Sequence, residues 1–159
     1  MARITTNTTG TQPVIVIGLT GANLANSSQA ITVPFVQDLT ITNSTGVYSY
    51  TTFSDVDMRK LSTPADNEAS TNVVVDDLAY FGSNSAGTLA PELGIASLSI
   101  NKNSLDFQIY WNGTASDAYF YTGSGFITSL APTTSPDAPV WVTPLTIAVD
   151  GTFTVDQVA

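Results

Sequence analysis

The sequence predicts an all-β domain, a β-sandwich or barrel carrying one or two short helices. Short runs of about four to eight residues alternate apolar and polar side chains with a period of two. Clusters of Gly, Pro, Asn, Asp and Ser punctuate those runs. Thr is abundant, at 24 of 159 residues, and its branched Cβ suits a pleated surface. At this length one domain is expected: a polar arm over residues 1–12, then a single β domain over 13–159.

Taken in order, "MARITTNTTGTQ" is too polar to bury itself. "VIVIGL" (14–19) reads as a buried strand rather than part of a targeting segment, because mostly polar residues precede it where a basic n-region belongs. In "AITVPFVQDLTITN", Ile31, Val33 and Phe35 alternate with other side chains, then Leu39 and Ile41 resume the period, and Pro34 marks an edge or a bulge. "STGV" reads as a turn before "VYSYTTF", a strand with Val47 and Ser49 on one face and Tyr48 and Tyr50 on the other. "SDVDMRKLST" (54–63) reads as a short helix. Ser54 suits its N-cap, Asp55 and Asp57 its positive end, Arg59 and Lys60 its negative end, and Pro64 its stop. Half of the four basic residues sit there, which points to ion pairs across a contact.

"VVVDDLAYFG" allows either a strand running into a turn or a second helix beginning at Asp76. "SNSAGTLAPELG" reads as loop, and the segment 95–130 supplies three or four strands. "APTTSPDAP" is an exposed, stiff connection, and "VWVTPLTIAVDGTFTV" a strand, a turn near Gly151 and a final short strand.

Residues 104–123, "SLDFQIYWNGTASDAYFYTG", hold six of the fifteen aromatic side chains. Leu105, Phe107, Ile109 and Trp111 alternate as a core face, and "NGTASD" turns the chain back. On the return, Phe120 is expected in the core, with Tyr119 and Tyr121 outward beside Tyr110. Three outward tyrosines suit cross-strand pairing or a subunit interface, and less well a platform for sugar rings.

Composition excludes several function classes. Four basic residues face thirteen acidic ones, giving a net charge of −9. No Lys/Arg cluster exists to neutralise phosphates, so neither specific nucleic-acid binding nor an anionic membrane partner is expected. Without Cys or His there are no thiol nucleophiles, His triads or usual zinc ligand sets. "DVDMRKLSTPADNE" puts Glu68 fourteenth, not twelfth as a calcium loop requires. "SDVD" and "VDDL" are the only paired acids, and adjacency in sequence says nothing of the two carboxylates across a cleft that a glycosidase needs. No enzyme activity, metal or cofactor is expected. Charged residues make up only 11%, and hydroxyls and amides replace them, so copies can pack closely with little repulsion.

The C-terminal stretch "FQIYWNGTASDAYFYTGSGFITSLAPTTSPDAPVWVTPLTIAVDG" (107–151) resembles the end of a bacteriophage tail tube protein. Such proteins close with a hairpin, a glycine-containing F-x-G-x-[IV] step, a polar connection and a last strand ending near Gly. Here "FYTGSGFITSL" carries one residue more than the tight form. "SDVDMRKL" would match the short helix such proteins pack on their sheet. The resemblance implies hexameric rings stacked into a hollow virion tail tube, assembled from subunits made in the host cytoplasm. DNA and a tape-measure protein would pass along the lumen, and a tail terminator would be a further partner. An acidic lumen would repel phosphate; its candidate acids are Asp55, Asp57, Asp76 and Asp77, and the candidate interface residues are Tyr110, Tyr119, Tyr121, Arg59 and Lys60. A capsid decoration protein, or a secreted carbohydrate-binding or surface-layer module, is the alternative reading.

Overall fold

Eight strands join in one antiparallel sheet: β1 (Val14–Leu19), β2 (Ala30–Val33), β3 (Thr40–Tyr50), β4 (Arg59–Val74), β5 (Leu105–Tyr110), β6 (Tyr119–Leu130), β7 (Thr133–Ser135) and β8 (Ala138–Gln157). Their order is β2-β1-β5-β6-β8-β4-β3, with β7 paired to β8. Helices α1 (Asp77–Phe81) and α2 (Ile95–Ile100) lie between β4 and β5. This computed structural model describes residues 12–54, 56–82, 91–111 and 113–158; the polar arm, apart from Gln12, falls outside them.

The sheet closes on itself through the segment that leaves β2. Pro34 ends the strand, Phe35 adopts φ 50°, and the chain swings from β1's side onto the end of β4. There Val36 bridges Val73, Gln37 N–H donates to the Asn72 carbonyl at 2.8 Å, and Val74 N–H donates to the Phe35 carbonyl at 3.4 Å. The Asp38 carboxylate completes the seam by accepting from Asn72 N–H and from its side-chain amide, each at 2.7 Å. Closure removes exposed strand edges from this part of the sheet.

Inside lies the core expected of alternating strands. Ile15, Ile17, Ile31, Val33, Leu105, Phe107, Ile109, Leu145 and Ile147 are all buried. Helix α2 adds Ile95 and Leu98 to the same cluster, and α1 adds Ala79. Gly94 is needed where the two helices meet, because a Cβ there would lie 2.5 Å from the Phe81 carbonyl carbon.

Several sequence expectations are corrected. Residues 59–63 are strand, not helix: β4 runs through Pro64, which sits where β4 carries an extra residue opposite Gly46 and no ladder donor is required. The "STGV" turn is this same irregularity inside a continuous β3. Residues 95–100 are helix, not strand; Ile95 and Leu98 sit three apart and bury one helical face. The helices on the sheet are therefore α1 and α2, and "SDVDMRKL" is not one of them. Both readings of "VVVDDLAYFG" hold in part, since β4 ends at Val74 and α1 starts at Asp77, capped by Asp76. Part of "APTTSPDAP" is strand β7, and the closing segment is one strand with a bulge around Gly151, whose φ is 95°. Phe35 is exposed, thrown out of the alternation by its positive φ.

Phe107→Ala should lower unfolding free energy by about 3–5 kcal/mol in chemical denaturation, the usual cost of emptying a buried aromatic site. Asp38→Ala should cost about 1.5–3 kcal/mol through the lost charge-assisted bonds at the seam.

Candidate assembly surface

Strand β4 has two neighbours over only part of its length. It pairs with β8 from Glu68↔Ala148 to Val74↔Val142, whereas its pairing with β3 runs from Thr40↔Ser70 out to Tyr50↔Arg59. Asn67 is still buried, its side-chain amide donating to the Gly151 carbonyl at 2.9 Å, but from Asp66 outward the β3–β4 hairpin leaves the barrel as an exposed two-stranded arm with no layer on either face among the described residues. Register puts Tyr48 opposite Leu61 and Tyr50 opposite Arg59 on one face; Val47 opposite Ser62 and Ser49 opposite Lys60 lie on the other. The Tyr48 and Tyr50 rings stack at 6.1 Å.

The arm is apolar where it is most exposed. Val47, Tyr48 and Leu61 on its strands are exposed, as are Phe53, Val56 and Met58 at its tip, Phe53 and Val56 completely. A lone hairpin is marginal in water, and apolar side chains concentrated on a protrusion mark a contact with another surface.

A second feature is the outward face of the sheet. Asp106, Ser124 and Asp150 are direct cross-strand neighbours over β5, β6 and β8. The adjacent row runs Phe126, Ala148, Glu68 and Thr42 over β6, β8, β4 and β3. Asp66, opposite Ser44, extends the same face. Among the described residues it carries no Lys or Arg: Arg59 and Lys60 are on the arm and Lys102 follows α2. The face is acidic and hydroxyl-rich. At one side it dips into an open concavity of about 540 Å³ lined by Asp106, Gln108, Tyr110, Thr122 and Ser124. The Asp106 carboxylate is engaged there, accepting from Ser124 Oγ at 2.6 Å and Gly21 N–H at 2.8 Å, so it ties the 20–29 loop to the sheet. The Tyr110 hydroxyl donates to Gln108 Oε1 at 2.8 Å, and burial raises its pKa. These groups hold one another in place.

The residues singled out from sequence are dispersed. Asp57 sits at the arm tip near Arg59 and Lys60, while Asp76 and Asp77 lie at the other end of β4; Asp55 falls outside the described residues. The Asp76 carboxylate accepts from Ala79 N–H at 3.2 Å and caps α1. The three tyrosines do not share a face, which corrects the expectation. Tyr110 pairs directly with Phe120, and direct partners point the same way, so Phe120 lies under Tyr110 with rings 4.9 Å apart. Tyr121 pairs with Ile109 on the core side and packs on Phe153 and Trp111 at 5.4 and 5.5 Å. Tyr119 is exposed. Sequence parity missed this because the turn length, not the alternation, decides which residues meet. The acids of the outward face were missed because Asp66, Glu68, Asp106 and Asp150 are far apart in sequence; only the register unites them.

Neither a protein-family model nor a curated protein matches the chain. Solved structures do. A chain from the tail of an empty gene transfer agent particle with C6 symmetry superposes with a TM-score of 0.61, covering 90% of this chain and 96% of that one at 15% identity. The SPP1 tail tube gives 0.59, covering 92% and 77% at 11% identity. A chain of the sheath–tube complex of an extracellular contractile injection system, PVC, gives 0.56, covering 92% and 89% at 14% identity. The fold is that of tail tube subunits. The likeness in fold covers at least nine-tenths of this chain, well beyond residues 107–151.

Phe53→Ser and Val56→Ser should each leave the monomer's denaturation midpoint within the shift set by about 0.5 kcal/mol, because neither side chain touches the folded core. A large loss of monomer stability would show that the tip packs on its own barrel.

Proposed function

We propose that the chain is a structural subunit of a phage-like tail tube, in which six copies close a ring and rings stack around a lumen. The observation that carries this reading is the fold, shared over at least nine-tenths of this chain with tail and tube structures at TM-scores of 0.56 to 0.61. The C6 symmetry described for the gene transfer agent tail supports six subunits per ring. The apolar arm supports assembly, since its side chains are exposed among the described residues. Its role would be mechanical, in keeping with a site whose polar groups are tied to one another; partners would be further copies and the other tail components, a tape-measure protein and a terminator among them.

The outward face of β5, β6, β8 and β4 is the surface we assign to the lumen. Asp66, Glu68, Asp106 and Asp150, repeated six times per ring, would present a wall that repels phosphate and lets DNA slide. Asp57, Asp76 and Asp77, at the ends of the subunit, would then serve contacts between copies, with Arg59 and Lys60 as their counter-charges. Tyr119, exposed at the start of β6, is a further contact candidate.

Electron microscopy of the purified chain, with its solution mass measured alongside, tests the reading. Hollow tubes or six-membered rings are expected; trimers would favour capsid decoration, and a monomer under every salt condition would overturn the tube. Tubes carrying Glu68→Lys and Asp150→Lys should retain DNA at low salt where unmodified tubes do not. Equal retention would remove the lumen assignment while leaving the tube intact.

A further inference from the structure

We infer that in the free subunit the residues ahead of Gln12 fold back on their own chain. They lie along the uncovered edge of β2 and seat Ile4 in the cleft between the β1–β2 pair and α1. The contact is made within one chain, so it goes beyond the tube reading and does not rest on it.

Strand β2 ends the strand order and, among the described residues, pairs with β1 alone. The seam that closes the barrel begins only at Phe35, past the last residue of β2. Ala30–Val33 therefore keep a strand edge that no described strand covers, and such an edge is a template for pairing unless something lies over it. Beside it is a cleft of about 300 Å³. Val16 and Ala30 line it from the strand pair, Leu24 from the 20–29 loop and Leu78 from α1, with Pro34 where β2 stops. Its described lining is apolar except for two hydroxyls and Asp76.

The chain brings its own occupant to this place. Ile15 pairs directly with Val33, so β1 begins beside the end of β2. Eleven residues stand ahead of Gln12, a reach on the order of 36 Å at ~3.3 Å per residue, whereas the four of β2 need about 13 Å. "MARITTNTTGT" carries five Thr, whose branched side chains suit an added strand. Gly10 suits the turn that reverses its direction. Ile4 is its one branched aliphatic side chain, and so the residue for an apolar cleft. A segment so tethered has an effective concentration on the order of millimolar, so in dilute solution it outcompetes the same segment of another copy.

Charge agrees. Arg3 is the only charged side chain ahead of Asp38, so no acid in the segment opposes it. No Lys or Arg lines the cleft among the described residues. The Asp76 carboxylate is engaged with Ala79 N–H at 3.2 Å, but its neighbour Asp77 is exposed at the same wall. With Ile4 in the cleft, Arg3 pairs with Asp77. The tube reading gives Asp77 to contacts between copies; Arg3 holds it before a neighbour does.

Without cysteine in the chain, only introduced thiols react. Thr5→Cys, beside Ile4, and Ser27→Cys, at the exposed cleft lip, are treated together with a short bis-maleimide in the dilute subunit. A link within one chain is expected, read by peptide mass spectrometry at the mass of the monomer. Adding Ile4→Ser should cut its yield roughly tenfold, the effect of losing one buried aliphatic side chain. Arg3→Glu should cut it too, and Asp77→Lys added to Arg3→Glu should restore it. Links between copies only, or a yield that Ile4→Ser leaves unchanged, would overturn the fold-back; absence of rescue by Asp77→Lys would overturn the charge pairing. As a second measure, amide exchange at Ala30–Val33 should quicken in the Ile4→Ser variant while that of β5 stays the same. Equal exchange in both proteins would overturn the contact with the strand edge. Neither readout needs rings or tubes, so loss of the tube reading by microscopy would leave this contact standing.

Discussion

Strand β4 has backbone partners on both sides from Glu68 to Val74, β8 on one and β3 or the 35–38 segment on the other, and pairs with β3 alone from Arg59 to Asn67. The rest of the molecule depends on that asymmetry. The doubly paired half sits in a closed barrel, sealed by Asp38 on Asn72 and filled by Phe107, Ile109, Leu145 and their neighbours. The singly paired half projects as a ribbon whose apolar side chains are left exposed among the described residues. One strand thus joins a self-sufficient core to a segment whose stability must come from elsewhere. The barrel buries its own core, whereas the arm's apolar side chains stay exposed.

The paucity of charge fits that use. Thr, Ser and Asn keep the surface wet without the repulsion that a conventional density of like charges would bring to closely packed copies. The acids that remain are sorted by the fold. Asp66, Glu68, Asp106 and Asp150 gather on the sheet's outward face, away from Arg59 and Lys60 on the arm. The register thus separates an acidic face from the part of the chain that holds both signs.

Much of the fold could be read from the residues, and the failures have physical causes. Alternation at Leu105–Ile109 and the apolar run at Val14–Leu19 gave their strands, because burial on one or both faces imprints itself on adjacent positions. In the stretch 54–63, capping residues, acids followed by bases, and a proline form a sound local argument for a helix. Tertiary pairing with β3 overrides it, and the extra residue beside Pro64 makes the proline harmless. Residues 95–100 mislead in the opposite sense, six residues being too few to separate the two periodicities. The site was less legible than the fold. Arg59 and Lys60 were marked as contact residues from their rarity, but Phe53, Val56 and Met58 look like ordinary core residues until the arm is seen to leave the barrel. The acidic face exists only as a cross-strand pattern.

Amide hydrogen exchange along β4, measured in the isolated subunit and again after assembly, tests the division of the strand most directly. The account predicts protection over Asn67–Val74 in both states, with slow exchange over Arg59–Asp66 appearing only on assembly. Protection of Arg59–Asp66 in the lone subunit, or none gained on assembly, would contradict it.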